Sequence, residues 1–332
     1  MAGAFAFGCV GPRLLPVERA FFREADPWGF ILFGRNCLSP GQLRRLTGEL
    51  REAVGRDAPI MIDQEGGRVQ RMGPPSWDAY LPALDQMRAA GTDWAEAMTL
   101  RSRLIADELR AGGVDVNCTP LADLVEPQTH PVLLNRLYGD EPDQVVAAAR
   151  AVVRGQLMQG VLPVLKHVPG YGRAAPDPHL GLARLSETLE ELEARDFVPF
   201  RALSDLRMAM TAHIVVEALD PDRPATHSPD AIRFIRESVG VDGLLMTDDI
   251  SMGALSGSVA ERGAASLAAG CDLVLHCNGT LREMEAVAAL GRLTPEAARR
   301  ADHALAERRA PEPFDRAEAR ARLAALTGRA AA

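Results

Sequence analysis

The chain is short of the features that would mark several function classes outright. Lysine is nearly absent and arginine carries the positive charge; 37 Lys plus Arg against 45 Asp plus Glu leave the 332 residues with a formal net charge of −8. Nucleic-acid binders and anionic-membrane binders cluster cations on one face, so the acidic balance argues against both kinds of partner. No apolar run approaches the roughly 18 uncharged residues that a membrane-spanning helix needs. The apolar stretch Met1 to Val10 lacks a basic leader, and Arg13 follows soon after, so it reads as a first core strand and not as a secretion signal. The five cysteines are odd in number and form no Cys-x-x-Cys, which suits free buried thiols in a reducing cytoplasm.

Other chemistries lack their signatures as well. There is no His-Glu-x-x-His and no His-x-His after the first apolar run, where a metal-dependent amidohydrolase barrel would place ligands. No P-loop occurs, and no Gly-x-Gly-x-x-Gly follows a strand-like run. Gly-x-Ser-x-Gly is missing too. The expectation is a protein with no metal and no organic cofactor.

Eight short apolar runs are present: Ala4–Val10, Gly29–Gly34, Ala58–Ile62, Val114–Cys118, Leu162–Leu165, Met208–His213, Gly243–Thr247 and Cys271–His276. Most are continuous, as strands buried on both faces of a parallel sheet must be. Helical patterns lie between many of them. Ser39-Pro40, Ser228-Pro229 and Thr294-Pro295 read as an N-cap followed by proline at the first helical position. Thr188-x-x-Glu191 reads as a capping box. Alternating β and α segments of this number predict an α/β fold, a single (β/α)8 TIM-type barrel over 1–293, with an open doubly wound sheet as the alternative. The remainder, 294–332, reads as a C-terminal helical extension packed on the barrel or on a partner subunit.

The ionisable residues gather where these runs end, which is where barrel active sites are built. Asp63 ends the third run, with Arg71 close behind. Lys166 and His167 end the fifth, His213 the sixth, and Asp248-Asp249 the seventh. A strand-end carboxylate can equally cap the next helix, and a histidine can sit satisfied in a core; which of Asp248 and Asp249 is chemical stays open on spacing alone. In the glycine- and proline-rich segment after His167, Asp177 and His179 lie two residues apart. A carboxylate beside an imidazole can fix its tautomer and stabilise its charged form.

Taken in order, Ile62-Asp63-Gln64-Glu65-Gly66-Gly67-Arg68-Val69, Lys166-His167-x-Pro169-Gly170-x-Gly172, Asp177-x-His179-x-Gly181-Leu182, Thr211-Ala212-His213 and Thr247-Asp248-Asp249-Ile250-Ser251-Met252 resemble glycoside hydrolase family 3, and most of all its bacterial β-N-acetylhexosaminidases. The resemblance implies a retaining exo-glycosidase that acts on terminal β-linked N-acetylglucosamine in peptidoglycan-derived muropeptides. It implies Asp248 as nucleophile and His179, paired with Asp177, as acid/base. It implies substrate contacts from Asp63, Arg71, Arg136, Lys166, His167 and His213. Relatives usually carry His and Asp where this chain has Tyr171 and Arg173. Alternatives remain: a glucoside or xyloside as substrate, an aldolase using Lys166 as a Schiff base, or an amino-sugar-binding barrel without catalysis. The oligomeric state is not readable.

Overall fold

The computed structural model describes residues 1–174 and 182–328. Among these residues, eight parallel strands close a ring. They are β1 (Gly3–Phe7), β2 (Pro27–Leu32), β3 (Ile60–Ile62), β4 (Val116–Asn117), β5 in two pieces (Leu162–Pro163 and Leu165–Val168), β6 (Met208–Thr211), β7 (Leu244–Asp249) and β8 (Leu273–His276). Each falls on one of the eight apolar runs. The interrupted β5 completes the ring: its first piece sets Leu162 opposite Val116, and its second sets Leu165 opposite Ala209. Phe5 lies opposite Val274 across the β1–β8 pair. This is the (β/α)8 barrel, and the open-sheet alternative falls away.

Continuous apolar strands are explained by what each face meets. Ala4 and Ala6 of β1 join Met61, Val116, Met208, Leu244 and Leu273 in the barrel interior. Phe5 and Phe7 join the outer layer with Phe22 of α1 (Pro16–Ala25) and Leu43, Leu46 and Leu50 of α2 (Pro40–Val54). Each such leucine contributes roughly 2 kcal/mol by leaving water. The helix starts follow the capping chemistry read above. Ser39 Oγ accepts from the Gln42 amide at 3.4 Å, Ser228 Oγ from Ala231 at 3.2 Å and Thr294 Oγ1 from Ala297 at 3.1 Å.

The C-terminal segment shows no break in packing at 293/294. In order along the chain, α3 is Trp94–Ala111, α4 is Pro295–Leu305 and α5 is Arg316–Thr327. Ala297, Ala301 and Ala304, one face of α4, belong to the same buried cluster as the barrel interior. The segment lies across the N-terminal mouth of the barrel. Arg300 reaches Asp272 at 3.1 Å, ahead of β8, and Arg308 reaches Asp115 at 2.5 Å, ahead of β4. Beyond it, α5 packs on α3, with Arg320 forked onto Asp78 at 2.6 Å and Arg316 paired to Glu108. A cavity lies at the opposite mouth, at the strand C-termini.

Candidate active site

β3 runs into a tight antiparallel hairpin, Gln64–Gly66 against Val69–Gln70. Its turn requires glycine. Gly66 has φ +86°, and a Cβ there would run into Arg101 Nη2. That arginine, on α3, donates to the carbonyls of Glu65 and Leu81 and fastens the hairpin from behind.

The hairpin delivers Asp63 and Glu65 to an ion network. Lys166 Nζ lies 2.9 Å from Asp63 Oδ1 and 2.7 Å from Glu65 Oε1. Arg136 forks onto both oxygens of Glu65 at 2.8 Å, and Arg71 Nη2 lies 3.3 Å from Asp63 Oδ2. Burial alone would raise both carboxyl pKa values. Arg136 and then Lys166 outweigh it at Glu65, and Lys166 and then Arg71 outweigh it at Asp63, so both acids are held below the ordinary range. Burial would lower the pKa of Lys166, but the two carboxylates raise it. The amine stays charged, which removes the neutral nucleophile a Schiff-base reaction requires.

His167 follows on β5, across a cis peptide bond from Lys166. Its Nδ1 lies 2.9 Å from Asp123 Oδ2. A carboxylate only accepts, so Nδ1 carries the proton and Nε2 is left for the cavity. Asp123 also accepts the amides of His167 and Tyr171, at 3.2 and 2.8 Å, and so fixes the turn after β5. In that turn Arg173 is bound to Asp196 at 2.8 Å and Glu187 at 3.4 Å.

β7 ends in two aspartates with different surroundings. Asp249 is buried and accepts from Ser251 N (3.0 Å), Ser251 Oγ (2.7 Å), Cys277 N (3.1 Å) and Asn278 Nδ2 (3.0 Å). It is fully engaged in holding the loops after β7 and β8. Asp248 is half-buried; its Oδ1 accepts the Asp249 amide at 2.7 Å, and among the described residues it pairs with no cation. Of the two, Asp249 is committed to loop contacts, whereas Asp248 accepts one backbone amide.

A cavity of about 490 Å³ opens over these groups. Asp63, Arg71, Arg136, Lys166, His167 and Asp248 line it together with Phe33, Arg68, Val69, Val132, Tyr171 and Met252. Its size and its few convergent polar groups suit a small ligand.

The chain matches the glycosyl hydrolase family 3 N terminal domain over residues 22–305. The chain belongs to glycosyl hydrolase family 3. As a family 3 member it is a glycoside hydrolase. A β-hexosaminidase of Methylococcus capsulatus is 38% identical over 328 residues, covering 97% of this chain and 91% of that protein. One from Alkalilimnicola ehrlichii is also 38% identical, over 305 residues, with 89% and 85% covered. Among solved structures, NagZ from Neisseria gonorrhoeae in complex with N-trifluoroacetyl-D-glucosamine superposes with a TM-score of 0.87 at 29% identity, covering 98% of both chains. A family 3 β-N-acetylglucosaminidase from a Paenibacillus species gives 0.81 at 29% identity, with 98% of this chain and 61% of the other covered.

Of the residues singled out by resemblance to family 3, the structure brings Asp63, Arg71, Arg136, Lys166, His167 and Asp248 to one cavity. His213 differs from its expected role. It is 2% exposed and is not among the cavity-lining residues. Its Nε2 lies 3.1 Å from the Asp249 carbonyl and its Nδ1 2.9 Å from Thr226 Oγ1. Burial lowers its pKa despite Asp248 and Asp249 nearby, so a neutral ring holds the carbonyl of Asp249, the residue after Asp248. Asp177 and His179 lie outside the described residues. Sequence reasoning gave no role to Glu65, although it sits in the quoted motif, and it missed Asp123. The latter follows its apolar run by several residues and so carries no strand-end signal.

Proposed function

We propose that the protein is a retaining exo-β-N-acetylglucosaminidase that removes terminal β-linked N-acetylglucosamine from peptidoglycan-derived muropeptides in the cytoplasm. The observation that carries this reading is the isolation of Asp248. Asp63 is neutralised by Lys166 and Arg71, and Asp249 is spent on loop contacts. Asp248 alone among the described cavity carboxylates is free to attack.

Retention needs that nucleophile and a separate acid/base. The other two carboxylates that line the cavity among the described residues are committed, Asp63 to Lys166 and Arg71 and Asp249 to four hydrogen bonds, which favours a histidine in the proton-transfer role. The sequence offers His179, with Asp177 two residues before it. Asp248 attacks the anomeric carbon while the bond to the leaving oxygen breaks and His179 gives that oxygen its proton. A water then gives its proton to His179 and displaces Asp248 from the sugar. An imidazole, with an ordinary pKa near 6.5, can serve both steps at neutral pH. Asp63, Lys166, His167 and Arg71 hold sugar hydroxyls, and these contacts accelerate the reaction to the extent that they tighten in the oxocarbenium-like transition state.

The test is turnover of 4-nitrophenyl N-acetyl-β-glucosaminide with product stereochemistry read by NMR. The wild type gives the β-hemiacetal first, and Asp248→Asn lowers kcat by at least about a thousandfold, roughly 4 kcal/mol of barrier. A variant within tenfold of wild type removes Asp248 from the role, and first release of the α-hemiacetal removes the covalent step.

A further inference from the structure

The cations of the cavity fall into two groups. Lys166, Arg71 and Arg136 are each paired with a carboxylate. Arg68 lines the same cavity, is exposed, and among the described residues forms no ion pair. Its nearest polar contact is Nη1 to the Val132 carbonyl at 3.5 Å, a marginal bond. It projects from the turn of the hairpin after β3, which is fixed from behind by Arg101. The strand ends with Asp63, Lys166 and Asp248 form the deep part of the cavity, and Arg68 stands where it meets solvent.

An exo-acting enzyme seats the terminal sugar against the nucleophile, and the leaving group extends toward the mouth. We infer that Arg68 reads the charge of that leaving group and favours β-N-acetylglucosaminides whose aglycone bears a carboxylate. This rests on the proposed exo-β-N-acetylglucosaminidase reading of the site and adds to it a selectivity for acidic aglycones. A neutralised cation could not discriminate in this way; an unpaired guanidinium can meet a carboxylate with two parallel hydrogen bonds. Because the group is exposed, the effect is modest and screened by salt.

The experiment compares 3-carboxyphenyl N-acetyl-β-glucosaminide with its methyl ester, which differ in aglycone charge. On replacing Arg68 by Gln, kcat/KM on the acid falls about threefold to tenfold more than on the ester. Arg68→Lys retains part of the preference, and about 1 M sodium chloride abolishes the difference between the two substrates' losses. Equal losses on acid and ester, or a preferential loss that persists at high salt, overturn the inference. A wild type that cleaves neither substrate overturns the N-acetylglucosaminidase reading and the inference with it, whereas a wild type that cleaves both, with equal losses in Arg68→Gln, overturns the role of Arg68 alone. Should Arg68→Gln fail to fold, Arg68→Lys decides: no charge-dependent loss at low salt refutes the fork-to-carboxylate contact.

Discussion

Lys166 is the only lysine in the chain, in a sequence that uses arginine for every other cationic side chain except histidine. The site explains why a lysine stands here. Its ammonium is a compact point charge, 2% exposed, wedged between Asp63 and Glu65, while Arg136 already occupies both Glu65 oxygens with its planar fork. A second guanidinium brings more volume and a fixed fork into a space that is full. Lys166→Arg should therefore keep the charge and lose function: kcat/KM on 4-nitrophenyl N-acetyl-β-glucosaminide falls about a hundredfold with the circular dichroism unchanged. Activity within twofold of wild type would mean that charge alone matters at this position. Glu65 is the complementary case. Glu65→Gln strips a buried carboxylate from two cations, and breaking such a pair from one side costs about 3 kcal/mol, to be read from urea unfolding as a lower midpoint with the slope unchanged. None of this pairing was legible in the sequence. Residue types and strand-end positions identified Lys166 and Asp63 as candidates, but which charge neutralises which depends on pairs as distant along the chain as Arg136–Glu65, 71 residues apart, and Lys166–Asp63, 103 apart.

At the level of elements, the eight barrel strands and several helix starts were readable because their causes are local. A strand buried on both faces must be apolar throughout, and Ser or Thr before a first helical turn supplies its own hydrogen bond. The hairpin after β3 was not readable as structure. Its strands are two or three residues long and carry Gln, Glu and Gly instead of an alternating pattern; tertiary contacts with Arg101 and Tyr80 hold them. The pairing of Ala183–Leu185 with Ile214–Val216 was missed because each strand is only three residues long. The hairpin's dependence on its turn gives a direct test. Gly66→Ala places a methyl on a left-handed backbone position and against Arg101 Nη2, so that either the turn or the arginine must shift. The expected result is a loss of about 1–3 kcal/mol in stability and, because Asp63 and Glu65 ride on this element, a fall of at least about tenfold in kcat/KM. A drop in stability with kcat/KM unchanged would uncouple the turn from the ion network.

At the scale of the whole molecule, the C-terminal segment shows how far amphipathic patterning reaches. It foretold helices with buried faces but not that α4 would cover the barrel mouth opposite the active site, because pattern says that a face is covered and not by what. The attachment of α5 turns on Glu108 of α3, which is 1% exposed, accepts the Asp78 amide at 3.1 Å and faces Arg316. Burial, with Asp78 adding to it, raises its pKa from the ordinary 4.5 to about 7, against the opposing pull of the Asp78 amide and Arg316. The folded state thus holds this proton more tightly than the unfolded chain. The stability it contributes is complete below about pH 4.5, declines as pH rises toward 7 and changes no further above that. Glu108→Gln removes the titration and keeps the shape, so the difference in unfolding free energy between variant and wild type should shift in the variant's favour by up to about 3 kcal/mol between pH 4.5 and pH 8. All other titrating groups are common to both proteins and cancel in that difference. The measurement is urea unfolding of both at a series of pH values; curves that run parallel across the range would show that Glu108 is charged at every pH sampled and that Arg316 outweighs its burial.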